Sequence, residues 1–276
     1  MNRRSFIGAA LGGVVGWRVP APAAGSRLSR VGLQLYTVRR QLAADFDGTL
    51  GKVAALGFQE VEFAGYHGRA PADVRAALRR HKLSAPSAHV TTAQLRDGLA
   101  SAVEAARVLG HRYLVLGYVP AEERRSLDDY RRLADLLNRA GETAKRARVQ
   151  LCYHNHDFEF EEAGGQVPYD LLLAETDARL VRAQLDLYWI AKAGRSALDY
   201  FAQHPGRFPS LHVKDMDSTA RRSFTEVGRG VIDFKSIFAA AGRAGVRHYF
   251  VEQDETPASP FESAKVSLDY LRRLRF

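Results

Sequence analysis

The hydrophobic pattern changes period repeatedly along the chain, with short apolar runs alternating with longer amphipathic ones from Val31 onward. The segments Val31–Tyr36, Gln59–Phe63, Ser84–Val90 and Tyr113–Leu116 predict strands. Between them, Phe46–Leu56, a segment opening at Pro71, Thr92–Leu109 and Leu127–Ala147 predict helices. Pro71 is a favoured first helical residue. Gly57 and Gly110 stand where two of these helices should stop. The second half repeats the pattern: strands at Val149–His154, Ala183–Tyr188, Ser210–Lys214 and His248–Glu252, and helices near Tyr169–Thr176, Ala197–Gln203, Phe234–Ala241 and Pro260–Leu274.

Eight strands alternating with eight helices imply parallel pairing through right-handed crossovers. Eight such units in about 250 residues fit a single closed (β/α)8 TIM barrel of the α/β class. An open doubly wound sheet would carry a Gly-rich phosphate loop after its first strand, and Tyr36-Thr37-Val38-Arg39 is not one. No linker or composition break divides the barrel.

The 276 residues are 46% hydrophobic and 26% charged, a composition that excludes disorder. The single cysteine, Cys152, excludes an intramolecular disulfide framework and a cysteine-built zinc finger. The net charge of +9 raises the question of a nucleic-acid partner. Part of it belongs to the first 24 residues. These hold no acid and only three charges, Arg3, Arg4 and Arg18, followed by a small apolar run to Gly16 and by Val19-Pro-Ala-Pro-Ala-Ala24. A positive end, a short apolar stretch and a small-residue cleavage region make an export signal. The Arg3-Arg4-x-Phe6 core resembles a twin-arginine signal, which implies the Tat export machinery as partner and a periplasmic or secreted location. The expected domains are thus 1–24, signal peptide, and 25–276, barrel. Without the signal the charge is +6, spread over amphipathic helices such as Val74–Arg80 and Asp129–Leu133. Those are solvated faces rather than a binding stripe, and no nucleic-acid partner is expected.

Barrel chemistry sits at the C-terminal strand ends. There the sequence places Gln34 on the first strand, Glu60 and Glu62 on the second, His89 on the third, His154-Asn155-His156 on the fifth, Asp186 on the sixth, His212 and Lys214 on the seventh and Glu252 on the eighth. Polar groups in buried strands need partners, protons or a metal. Asp186, His212 and Glu252, on successive strands, make a site suited to one divalent ion: Mn2+, Mg2+, Co2+ or Zn2+. His154 has the position of a fourth ligand, with His156 and Glu159 as rivals. Lys214 shares the strand face of His212, where an ammonium can hold a developing oxyanion or pair with Asp215, Asp217 or another acid. Arg229, between Gly228 and Gly230, can reach over a ligand hydroxyl or carbonyl. Gln34, Glu62, His89 and Trp189 are candidate substrate contacts, and Tyr36, Phe63, Phe158 and Tyr188 candidate apolar walls.

The segments Val31-Gly-Leu-Gln-Leu-Tyr-Thr-Val-Arg39, Tyr153-His-Asn-His-Asp-Phe-Glu-Phe160, Leu185-Asp-Leu-Tyr-Trp189, Leu211-His-Val-Lys-Asp215, Val227-Gly-Arg-Gly230 and Val251-Glu-Gln-Asp254 run through nearly all of the barrel. In their order and spacing the chain resembles the xylose isomerase-like TIM-barrel superfamily, and within it the sugar phosphate isomerase/epimerase group with its ketose 3-epimerases and inosose dehydratases. The resemblance implies a divalent metal held by a fifth-strand acid, a sixth-strand aspartate, a seventh-strand histidine and an eighth-strand glutamate. Asp186, His212 and Glu252 match the last three, while His154 stands where the acid usually is. The two-glutamate acid/base pair of ketose epimerases would therefore need Glu159 or Glu62 as its second member. Endonuclease IV-type members use three zinc ions on additional histidines. Here position 189 is Trp and Thr225-Glu-Val-Gly228 has no histidine, which argues against a nuclease.

The expected function is a metal-dependent sugar isomerase/epimerase working by proton abstraction beside a carbonyl, through an enediolate stabilised by the metal. His156, His154 or Glu252 would move the proton. The same enolate chemistry gives a 3-keto-glycoside lyase, hydratase or dehydratase as an alternative. A non-catalytic sugar-binding barrel is the alternative of another class. The partner is a small sugar, keto-sugar or glycoside, unphosphorylated because exported, and analogy with similar barrels adds a homodimer.

Overall fold

The computed structural model describes residues 25–256 and 259–276, so the expected export signal lies outside the described residues. Eight parallel strands close a barrel: β1 (Gly32–Gln34), β2 (Glu60–Phe63), β3 (Ser84–Val90), β4 (Tyr113–Leu116), β5 (Gln150–His154), β6 (Val181–Asp186), β7 (Ser210–Val213) and, after a small hairpin of β8 (Asp215–Met216) and β9 (Phe224–Thr225), β10 (His248–Val251). β1 completes the ring against β10, with Gly32 opposite Phe250. A Cβ on Gly32 would lie 2.5 Å from the Phe250 ring, so the close approach at this seam depends on the missing side chain.

Local chemistry sets the helix ends. Asp45 accepts from the Gly48 N–H at 2.9 Å to open Phe46–Leu56, and Gly57 closes it in the left-handed region at φ 105°. Ser126 and Asp129 form a capping box at the start of Leu127–Arg146, whose apolar stripe covers β5 and β6. Among the described residues, no helix is long and apolar enough to cross a membrane.

Four of the boundaries that differ from the sequence expectation do so for a local reason. The first strand stops at Gln34, because its side-chain oxygen accepts from the Tyr36 N–H at 3.1 Å and turns Leu35–Val38 into a 3-10 helix. Thr92–Leu109 is two helices, Thr92–Asp97 and Leu99–Leu109, parted at Gly98 with φ −120°. Glycine is the residue with most to lose in a helix interior. The sixth strand ends at Asp186, because its carboxylate caps a new helix, Leu187–Lys192. The seventh ends at Val213, and the chain then enters the β8–β9 hairpin. Asp215 organises the following loop by accepting from the backbone N–H groups of Gly228, Gly230 and Ile232 at 2.8, 3.0 and 3.2 Å.

The main apolar core lies between the outer strand faces and the helices, built from residues such as Leu33, Val61, Leu114, Leu151, Leu185 and Leu211. Tyr113, Val115 and Cys152 form a small separate apolar plug. The polar alternates Gln34, Glu62, Ser87, Gln184, Asp186 and His212 are all fully buried.

Candidate active site

Glu62 anchors the lower polar layer. Its Oε1 accepts from Gln34 Nε2 at 2.7 Å and lies 2.5 Å from His212 Nε2 and 3.0 Å from His89 Nε2. Its Oε2 accepts from Gln184 Nε2 at 2.7 Å and from the Ser87 hydroxyl. Gln184 extends the network: its Oε1 is 3.0 Å from His89 Nε2 and 3.1 Å from His154 Nδ1, and its Nε2 also reaches Ser210. Burial pushes the Glu62 carboxyl up, but His89 and His212 more than offset this and hold it well below the ordinary range.

One layer higher the polar groups are closer together and less satisfied. His212 Nδ1 lies 2.7 Å from Glu252 Oε2 and 3.8 Å from Asp186 Oδ2, while His154 Nε2 is 3.8 Å from the same aspartate oxygen. Asp186 spends Oδ1 on the Tyr188 and Trp189 N–H groups, at 2.9 and 3.0 Å. Asp186 Oδ2 and His212 Nδ1 are buried and have no hydrogen-bond partner of acceptable geometry. Lys214 Nζ sits 3.0 Å from Asp186, 2.8 Å from Glu252 and 3.0 Å from Asp254. Burial pushes Asp186 up, and it pushes Asp254 up to about 6 against the pull of Lys214. Burial would depress His212, yet Glu252 and Glu62 on its two nitrogens hold it up at about 10. Burial would also raise Glu252, but Lys214 and His212 keep it below the ordinary range.

This arrangement fits a divalent cation. Asp186, His212 and Glu252 each offer a ligand atom, all within 4.8 Å of one another, and Asp186 Oδ2 and His212 Nδ1 are held there by ion pairs rather than by well-formed hydrogen bonds. Glu62 on His212 Nε2 leaves Nδ1 for a metal, the carboxylate–histidine–metal relation. Gln184 on His154 Nδ1 likewise turns Nε2 toward Asp186. Lys214 contacts the same carboxylate oxygens, so ammonium and cation compete for them, and Asp254 offers the ammonium another partner. The imidazoles of His89, His154 and His212 form a second group of donors within 4.8 Å. Gly117 makes room for one of them, since a Cβ there would lie 2.2 Å from His89 Nδ1.

Above the site a cavity of about 510 Å3 opens, lined at one end by His89, His154, His156, Lys214, Glu252 and Asp254. Several sequence candidates belong elsewhere. Gln34 and Glu62 are fully buried in the lower layer and support His212 instead of touching a ligand. Glu159, a rival fifth-strand ligand and second acid/base, is fastened away from the cluster by the Tyr153 hydroxyl at 2.6 Å and the His156 N–H at 2.7 Å. His156 lines the cavity, but burial and then Lys214 push its imidazole down to about 3, so it is not poised near neutrality. Arg229 is 61% exposed and turns to Glu226 at 3.3 Å, outside the cavity lining. Lys214 pairs with Asp186, Glu252 and Asp254 rather than with Asp215 or Asp217. Trp189 caps nothing in the cavity but lies edge-on to Tyr188 and Phe224, with Lys214 Nζ 5.7 Å from its ring. Phe63 and Tyr188 are buried, Phe158 carries Arg124 on its face, and of the expected walls only Tyr36 lines the cavity.

Three residues gain a role only from the geometry: Gln184, Asp254 and Tyr118. Asp254 lies two residues beyond Glu252, the same spacing that links Lys214 to His212, and that periodicity is a signal in the sequence. Gln184, two before Asp186, carries the same signal.

A closed eight-stranded barrel with acids and imidazoles gathered at the C-terminal strand ends defines a TIM-barrel enzyme. A family model described as xylose isomerase-like TIM barrel matches residues 50–274, and the chain belongs to that family. It is 31% identical to the inosose dehydratase of Geobacillus thermodenitrificans over 159 residues, 51% of this chain and 53% of that protein. The chain thus spans about half the length of several curated relatives it matches, although its match to the inosose dehydratase of Bacillus thuringiensis, at 23% identity, covers 82% of this chain and 89% of that one. A solved sugar phosphate isomerase/epimerase from Parabacteroides distasonis superposes with a TM-score of 0.76 at 25% identity, covering 92% of this chain and 98% of that one. The IolI protein, solved with a bound zinc atom, shares the fold at a TM-score of 0.70 and 14% identity, over 87% of this chain and 95% of that one.

Proposed function

We propose that the chain is a metal-dependent enzyme that removes a proton beside a carbonyl of an unphosphorylated keto-sugar or cyclitol ketone. The observation that carries this reading is the convergence of the buried Asp186 Oδ2, His212 Nδ1 and Glu252 Oε2, with Asp186 Oδ2 and His212 Nδ1 held by ion pairs rather than by well-formed hydrogen bonds. Asp186, His212 and Glu252, with His154 beside them, would hold the ion, which supplies Lewis-acid polarisation of the substrate carbonyl. Glu252, Asp254 and Lys214 lie on the cavity side of the cluster. A carboxylate there takes the α-proton, and the Lys214 ammonium faces the oxygen on which negative charge develops. With His154 in place of a fifth-strand acid, the carboxylates come from β6 and the end of β10 alone. One-sided acid/base chemistry favours elimination: the enolate electrons expel a β-hydroxyl, which Asp254 protonates as it leaves as water. The names of the inosose dehydratase relatives support the same reading. The likeness to a solved sugar phosphate isomerase/epimerase favours a second reading, return of the proton to the opposite face of the substrate, which is epimerisation.

Incubation with ketoses and inososes in deuterated solvent, with and without Mn2+, tests both. Metal-dependent α-hydrogen exchange with water loss supports elimination, and exchange with inversion supports epimerisation. No exchange with metal demonstrably bound would leave a sugar-binding barrel. The Arg3-Arg4 start and small-residue run to Ala24 support action outside the cytoplasm, which fractionation of cells expressing Arg3→Lys/Arg4→Lys tests directly.

A further inference from the structure

The cavity has two unlike halves. All of its ionisable acids and bases apart from tyrosines lie at the metal end; the half framed by the ends of β1–β4 is lined by Tyr36, Tyr66, Thr91, Thr92, Gln94, Tyr118 and small neutral neighbours. Tyr36 and Tyr118 are 42% and 50% exposed, two of only four large apolar side chains so exposed among the described residues. Both are held in place. Arg39 lies 4.0 Å from the centre of the Tyr36 ring, and Tyr118 stands perpendicular to the stacked rings of His156 and Phe158. The remaining polar groups are mostly spent locally: Tyr66 on His111, Thr92 on Glu123 and Thr91 in a helix cap. Fixed, half-exposed aromatic rings present apolar surface to a neutral ring, and the one cation beside them, Arg39, lies against the Tyr36 ring and does not line the cavity.

We infer that this half is a subsite for an uncharged second ring, so that the substrate is a glycoside of the reacting sugar and not a free or phosphorylated monosaccharide. The inference deepens the proposed function and rests on it for the identity of the reacting end. At roughly 300–1,000 Å3 for ligand-sized pockets, the whole cavity of about 510 Å3 suits a ligand larger than one sugar ring.

Titration calorimetry on the full chain supplied with Mn2+, using glucose, maltose and glucose 6-phosphate as probes, tests the subsite without turnover. Maltose is expected to bind about tenfold or more tighter than glucose. Tyr118→Ala and Tyr36→Ala should each erase most of that difference while changing glucose affinity less than about twofold, and Tyr118→Trp should retain it. Circular dichroism of the variants identifies any loss of folding, and the Tyr118→Trp comparison then carries the test. Maltose binding no tighter than glucose, equal losses for both sugars, or a preference for glucose 6-phosphate would overturn the inference. Maltose preference without α-hydrogen exchange on any ketose or keto-glycoside would overturn the enolisation chemistry and leave the subsite standing.

Discussion

Two polar layers stacked inside one barrel have been given opposite treatment. In the lower layer Glu62 is fully buried and both its oxygens are occupied by Gln34, Ser87, Gln184 and two imidazoles. In the upper layer Asp186 is equally buried, yet its Oδ2 makes no well-formed hydrogen bond and is held by charge alone, 3.0 Å from the Lys214 ammonium and 3.8 Å from His212. Burial alone therefore distinguishes neither layer. What separates them is the kind of partner: a complete hydrogen-bond network rigidifies, whereas buried atoms held by charge can exchange one cation for another. The lower layer sets the orientation of His212, and the upper one uses it.

The sharpest way to break this contrast is to remove a donor from the upper layer. Asp186→Asn and Glu252→Gln should each lower metal-dependent α-hydrogen exchange by about a thousandfold, while the metal-free fold survives. Exchange rates by NMR and metal titration check this, and near-normal exchange in either variant would remove the upper layer from the chemistry. Lys214→Met should destabilise the metal-free protein by about 3–5 kcal/mol, because two buried carboxylates, Asp186 and Glu252, and the half-buried Asp254 lose their cation. Added Mn2+ should restore most of that loss in urea denaturation. Failure to restore it would mean that the ammonium, and not a metal, is the resident cation.

A further buried acid lies outside both layers and provides a control. Burial pushes Glu159 up to about 7 from an ordinary 4.5. Between those values the folded state holds a proton that the unfolded state has released. The stability it contributes is complete below about pH 4.5 and is lost as pH rises through 7, by up to about 3 kcal/mol. Glu159→Gln should flatten that decline in unfolding measured from pH 5 to 8; an unchanged slope would locate the titrating group elsewhere. In the lower layer, Glu62→Gln should weaken metal affinity and activity together by about 10–100-fold, the scale of an orienting partner to a metal-bound histidine. A KM effect alone would instead make Glu62 a substrate contact. Arg229→Ala should have the smallest effect, about twofold or less, because its exposed guanidinium turns to Glu226 outside the cavity lining. A hundredfold loss in kcat would return it to the active site.

Much of the fold and part of the site are legible in the residue pattern. Strand and helix alternation implies the barrel, since periodicity records which faces are buried, and a polar residue in a buried strand marks a cost that requires a reason. Asp186, His212 and Glu252 stand out on that ground. The boundaries are less legible where one side chain redirects the backbone, as Gln34 does at β1 and Asp186 at β6.

The order of residues supplies acids, imidazoles and a lysine near the strand ends, but not which of them share atoms. Glu62 and Asp186 occupy similar positions in the pattern, yet only closure of the ring brings Gln34, Ser87 and Gln184 onto the first. Glu159 looks like a ligand from its place after β5, but Tyr153, on the outward strand face, turns it away. The fold and the inventory of donors can be read along the chain, because alternation of burial is a property of neighbouring residues. Which donors are satisfied depends on closure of the ring, because hydrogen bonds between residues as far apart as Glu62 and His212 exist only once the barrel closes.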